Sequence, residues 1–273
     1  MLRHTALAMA LASGGGLGAA AQPAPLPTYV ARPVADPIRV DGVLDEATWA
    51  LSPRVSELRL IHAPARPPVF PTEAAVTWDA GHLYVAFACT DSEPWTRYAS
   101  RDDRLWEEEV VEVFLDPDGD GLNYAELEVS PTNVVVDLLI AAPRASGPTA
   151  RRWDIAGLQS AVRRHAGGWV AEMAIPWASL AAAGVTSAPR AGDSWRVGLY
   201  RIKRPGGLAK AARIDALVAE RRAAAPERQA ALDRDLLALR ADDEYSAWSL
   251  TRAEFGFHDP ERFGIVQFAG HPR

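Results

Sequence analysis

Apolar and polar residues alternate along most of this chain in short runs, the period-two pattern of strands with one covered face. EAAVTWDAGHLYVAFACTD, residues 73–91, reads as two strands joined by a tight turn at Asp79, Ala80 and Gly81. EVVEVFLD (109–116) and LNYAELEVS (122–130) read as a second hairpin with DPDGDG at its tip. VVVDLLIAA (134–142), GWVAEMAIPW (168–177), SWRVGLYRIKR (194–204) and FGIVQFAG (263–270) supply further strands. Pro131, Pro143, Pro176 and Pro205 sit near the ends of such runs, where a missing backbone donor is tolerated. Many short strands at this spacing predict an all-β fold, an antiparallel β-sandwich or jelly roll.

One region breaks the alternation. Residues 208–241 are rich in Ala, Arg, Leu and Glu. Ile214, Leu217, Val218 and Arg221 follow helical spacing, as do Leu232, Leu236 and Leu239. Pro226 fits the first turn of a second helix. The reading is a helical hairpin inserted between two strands, either a packing element or a contact for a protein partner. The start of the chain reads differently again. A positive MLRHT, a short apolar ALAMALASGGGLG and a small-residue AAAQ form the pattern of a cleavable signal peptide over residues 1–21. The apolar run is too short, and too broken by Gly14–Gly16, to span a bilayer. Residues 22–36 read as a Pro-rich linker and 37–270 as the sandwich, so a secreted or periplasmic protein is expected.

Composition narrows the function. Cys89 is the only cysteine of the 273 residues, which excludes an intramolecular disulfide and a C-x-x-C-H haem attachment. It lies in an apolar run and reads as a small buried hydrophobe. A net charge of -6 and a pI near 5.6 speak against nucleic acid and anionic membrane surfaces as partners. Nine tryptophans exceed what a core of this size requires and suggest sugar recognition.

The acidic hairpin holds the candidate chemistry. Asp116, Asp118, Asp120 and Gly121 match the opening half of an EF-hand loop, with oxygen ligands spaced for calcium. The closing glutamate position is Leu127, and the flanks are strands, so an EF-hand is rejected. Structural calcium at these three aspartates and a plain solvated turn both remain. On the strands, the pleat places Val111, Val113 and Leu115 on one face and Glu112 and Phe114 on the other. Ala125, Leu127 and Val129 likewise oppose Tyr124, Glu126 and Glu128. The second face sets carboxylates beside aromatics, with Trp106 just ahead. That is either a sugar-binding surface, with hydroxyls on carboxylates and a pyranose on an aromatic ring, or an ordinary solvated sheet face. Two glutamates side by side on a flat face are poorly placed to flank a glycosidic bond, so catalysis is the weaker reading. No G-x-S-x-G, H-E-x-x-H, P-loop or G-x-G-x-x-G occurs. His62, His82, His165 and His258 are scattered and read as structural or surface residues.

Five segments in order, PIRVDGVLDEATW, VTWDAGHLYVAFACTD, RDDRLWEEEVVEVFLDPDGDGLNYAELEVSPTN, GWVAEMAIPW and FGFHDPERFGIVQF, resemble carbohydrate-binding module family 9-like proteins. The resemblance spans about residues 37–268. It implies a DOMON-like β-sandwich that binds the ends of xylan- or cellulose-derived chains without cleaving them, often with structural calcium. It implies Trp106 and Phe257 as the two stacking aromatics, with Phe257 standing where sugar binders carry tryptophan. Glu112 takes the acidic strand position, Glu128 stands where a basic residue is expected, and Glu254 where an amide is. Trp49 is expected to plug the sandwich edge, Trp169, Trp177 and Trp195 to lie in the core, and Trp95 to extend the aromatic platform. Three rival readings follow: a b-type haem electron-transfer module with Met173 and His258 as axial ligands, a glycoside-hydrolase accessory protein, and an outer-surface protein whose hairpin meets a partner.

Overall fold

Residue alternation translates directly into two curved sheets in the computed structural model, which describes residues 25–56, 58–143 and 150–270. The described elements are β1 (Thr28–Pro33), α1 (Ala47–Leu51), β2 (Arg59–Leu60), β3 (Thr72–Trp78), β4 (His82–Thr90), β5 (Val110–Asp116), β6 (Tyr124–Val129), β7 (Val135–Ile140), β8 (Ala150–Arg152), β9 (Gln159–His165), β10 (Gly168–Pro176), β11 (Ser194–Lys203), α2 (Gly207–Ala223), α3 (Pro226–Leu239), β12 (Glu244–Ala247) and β13 (Gly264–Phe268). The first sheet runs β8-β7-β6-β5-β11-β13-β1, with β12 and β2 attached at the far end of β11. The second runs β1-β3-β4-β10-β9.

β1 joins the two sheets, and it lies where the sequence suggested a linker. Thr28–Ala31 pair with β13 and Arg32–Pro33 with β3, both in parallel. All other pairings are antiparallel. Tyr29 and Ala31 point into the core while Val30 stays exposed, so six residues of alternation suffice for a strand despite the flanking prolines. β2, β8, β9 and β12 also went unforeseen. β9 is a mostly exposed edge strand with arginines at 163 and 164, and so lacks the apolar signature.

The main core lies between the sheets and includes Val111, Val113, Leu115, Leu127, Met173, Leu199 and Phe268. Trp169, Trp177 and Trp195 belong to it, as expected. Trp49 sits on α1 against the outer face of the second sheet and donates its indole N–H to Glu172 Oε1 at 2.9 Å. Cys89 is buried in the main core, where burial pushes its thiol up to about 11. The outer face of the first sheet carries a further apolar layer, with Phe114, Tyr124, Tyr200, Ile202, Phe257 and Phe263. That layer, covered by residues 244–263 and 98–106, decides the character of the site.

The inserted hairpin forms over the expected residues. Pro226 opens α3, Leu232 and Leu236 of α3 and Ala211 of α2 are buried, and the two helices pack on each other. Arg204 to Asp243 (2.5 Å) and Lys210 to Asp243 (2.9 Å) clamp its base. Arg97 pairs with Asp215 to hold α2 against the sandwich. No described helix is long and apolar enough to cross a membrane. The signal-peptide segment lies outside the described residues.

Candidate functional site

The acidic hairpin keeps the register that alternation dictates. Glu112 stands directly across from Glu128, and Phe114 across from Glu126. On the other neighbour of β5, Tyr200 stands across from Glu112 and Gly198 across from Phe114. A Cβ on Gly198 would lie 2.3 Å from the Tyr200 ring, so a side chain there would displace it. Tyr200 stacks on Phe257 at 4.3 Å between ring centroids and 10° between planes. Phe114, Tyr124 and Phe263 surround this pair edge-on and stacked.

Burial is the main departure from the sequence reading. The face expected to be open is closed: Glu112 is 2% exposed, Glu126 4%, Glu128 0% and Phe257 6%. One face of Phe257 is occupied by Tyr200, which leaves it a floor residue and not an open stacking plate. The physical reason is distant in sequence. The loop from Ser249 to Phe263 folds back over sheet residues that local alternation presents as solvent-facing. Trp106 remains half-buried at the rim of this layer, on a short 3-10 turn from Leu105 to Glu107, with Tyr98, Val134, Leu138, Tyr245 and Leu250 beside the same layer. Glu254 is exposed on the turn Ala253–Phe255. Trp95 does not extend the rim. It is buried, with its indole N–H on the Arg204 carbonyl at 2.8 Å.

The carboxylates beneath the rim are strongly perturbed. Burial, then the charge of Glu126, pushes Glu112 well above the usual carboxylate range, with Arg204 pulling the other way. Burial, then Glu112 and Glu126, does the same to Glu128, against a weaker pull from the backbone of Trp106. Two groups the sequence reading left out of the site belong to it. Glu126 completes the carboxylate trio, and its position on the Glu128 face was legible in the alternation. His258 was not: its Nδ1 meets the Tyr124 hydroxyl at 2.7 Å, and its Nε2 lies 3.9 Å from Glu126 Oε2. Met173 lies in the main core on the opposite side of the sheet from His258, so the two cannot clasp one haem.

The aspartate tip is built otherwise. Asp116 Oδ1 and Oδ2 accept the N–H groups of Gly119 (3.1 Å) and Gly121 (3.0 Å), and Asp120 Oδ1 accepts that of Leu122 (2.7 Å). Gly119 and Gly121 have φ of 72° and 77°, the left-handed backbone that makes these turns close. Carboxylate oxygens of Asp116, Asp118 and Asp120 lie within 4.8 Å of one another.

Residues 40–200, more than half of the chain, match the family described as "Carbohydrate family 9 binding domain-like". The chain belongs to this family. The matched stretch contains Trp106, the glutamate trio and the aspartate tip, and stops short of Glu254, Phe257 and the helical hairpin. No curated protein sequence matches the chain. Among solved structures it is similar to a carbohydrate binding module family 9 from Caldicellulosiruptor kristjanssonii in complex with cellotriose. The TM-score is 0.58 at 12% identity, covering 90% of this chain and 95% of that one. The same organism's module in complex with glucose aligns with a TM-score of 0.57 at 13% identity, covering 90% and 97%. At this identity the likeness establishes the family's sandwich fold, with the hairpin as an addition between β11 and β12.

Proposed function

We propose that the chain binds a saccharide without cleaving it, at the aromatic rim around Trp106. The observation that carries this reading is Trp106 itself. It is a half-buried indole beside a buried layer of aromatics and carboxylates, in a member of a carbohydrate-binding family. A pyranose stacks on such a ring through its axial C–H groups. Glu254, exposed on its turn, is the polar group proposed for its hydroxyls, with Phe257, Glu112 and Glu128 supporting from below. Xylan- and cellulose-derived oligosaccharides are the ligands to try first, because the resemblance in sequence points to them and a related fold has been solved with cellotriose. Non-catalytic binding fits the geometry of the glutamates. Glu112 and Glu128 lie directly across from each other in the floor, side by side and buried, a poor arrangement for flanking a bond.

Calorimetry against cello- and xylo-oligosaccharides tests the reading. Trp106→Ala should weaken binding by about 1–3 kcal/mol. Unchanged affinity would remove Trp106 from the site. The proposal also includes export through residues 1–21, read as an N-terminus at Gln22 in the mature protein. It further includes calcium at Asp116, Asp118 and Asp120, read as a fall in melting temperature on chelation that Asp118→Asn reduces.

A further inference from the structure

The floor beneath the rim contains an electrostatic problem that saccharide binding does not resolve. Glu112, Glu126 and Glu128 converge on one point, with one oxygen from each within 4.8 Å of the others. Four of their six oxygens, Glu112 Oε1, Glu126 Oε2 and both of Glu128, are buried without a hydrogen-bond partner. A buried polar atom left unpaired costs about 1–3 kcal/mol, and more when charged. The hydroxyl of Tyr200, across the sheet from Glu112, is likewise buried and unpartnered. Glu112 and Glu126 are among the charges that act on it. Four unpaired carboxylate oxygens therefore share one enclosed patch between β5 and β6, while the Tyr200 ring and hydroxyl lie over Gly198 on the neighbouring strand.

We propose that Glu112, Glu126 and Glu128 together bind one hard divalent cation, calcium or manganese. The donor set is all oxygen, which suits these ions over softer ones. Oxygens at most 4.8 Å apart leave space for a single ion at the distance of about 2.3–2.6 Å that calcium takes to oxygen. A divalent ion also offsets most of the charge. Three carboxylates around one divalent ion leave a residual charge of -1, which Arg204, itself paired with Asp243, lowers only at a distance. An organic cation is a poorer fit, because the oxygens are closed to solvent and a bare ion needs far less of an opening. His258, hydrogen-bonded to Tyr124 and 3.9 Å from Glu126 Oε2, flanks the ion on the rim side. The site is separate from the aspartate tip, whose principal buried carboxylate already accepts two backbone N–H groups.

The test uses the full chain, stripped with chelator, dialysed against calcium or manganese and analysed for bound metal by mass spectrometry. No saccharide is present, so the outcome is independent of sugar binding. The wild type should retain one more ion per chain than Glu112→Gln/Glu128→Gln, with calcium and manganese run as separate arms. Equal metal content in wild type and a folded double variant overturns the proposal. Should the double variant not fold, Glu126→Gln, which keeps the Glu112–Glu128 pair, is titrated by calorimetry. At least a tenfold loss of affinity for one calcium or manganese ion per chain is expected relative to wild type, and unchanged affinity overturns the assignment.

Discussion

Two groups of buried carboxylates, one meeting the inner face of β11 and the other on the outer face of β5 and β6, receive opposite treatment. On the inner face, Arg201 Nη2 meets Asp91 Oδ2 at 2.7 Å, and Lys203 Nζ meets Asp91 Oδ1 and Glu109 Oε1, both at 2.7 Å. Arg201 also donates to the Phe70 and Thr90 carbonyls and to Thr72 Oγ1, so one guanidinium stitches the two sheets together. On the outer face, Glu112, Glu126 and Glu128 are as deeply buried, with no ammonium in hydrogen-bond contact and most of their oxygens unpaired. The alternation of β11 produces the contrast: Tyr200 and Ile202 point outward while Arg201 and Lys203 point inward. A buried acid with a cation beside it is structure. A buried acid without one is a candidate for binding.

The largest effect should come from breaking the paired side. Lys203→Met leaves Asp91 and Glu109 facing each other without the ammonium and should destabilise the fold by about 3–5 kcal/mol in urea titration. A loss under 1 kcal/mol would show that the network is not a structural clamp. Next comes its pH dependence. Burial lifts Glu109 to about 8, despite Lys203, from an unfolded value near 4.5. A raised folded value means that its stabilising contribution is fully present below the unfolded value and lost as pH rises through about 8. Wild-type stability should thus decline between pH 5 and 8 by an amount on the order of 2 kcal/mol more than in Glu109→Gln.

The unpaired side should respond in the other direction. In chelator, Glu128→Gln removes like-charge repulsion and should leave stability unchanged or raise it by about 1 kcal/mol. A clear loss would mean that the trio is already satisfied. The smallest effect is expected at the hairpin. Replacing residues 207–240 by a short Gly/Ser link should change sandwich stability by less than about 1 kcal/mol. Its helices pack chiefly on each other, and the Arg97–Asp215 pair is partly exposed. Melting curves of the two proteins check this.

Much of this architecture was legible beforehand. The hairpin tip at Asp79, the face sets of β5 and β6, the tryptophans of the main core and the boundaries of the helical hairpin all followed from period-two and period-3.6 patterns. β1 and β9 did not. One lies among prolines and the other is a polar edge, so neither carries the apolar signature on which such a reading depends. At the site, the shared face of Glu112, Glu126 and Glu128 was readable from the pleat alone, whereas the closure of that face was not.

The sequence by itself determined which side chains share a face, because the pleat is a local property of two or three bonds. It also determined the family resemblance, because those strands and turns recur in order. Only the tertiary structure decided whether that face met water or protein. The covering residues, Phe257 and Phe263, lie more than a hundred positions downstream of the glutamates they cover. Burial is a sum over every segment that packs on a surface, and local alternation reports just one of them. The same packing brings His258 to Tyr124 and leaves Tyr200 without a partner, turning a hydrophilic-looking stripe into a closed, acid-rich floor.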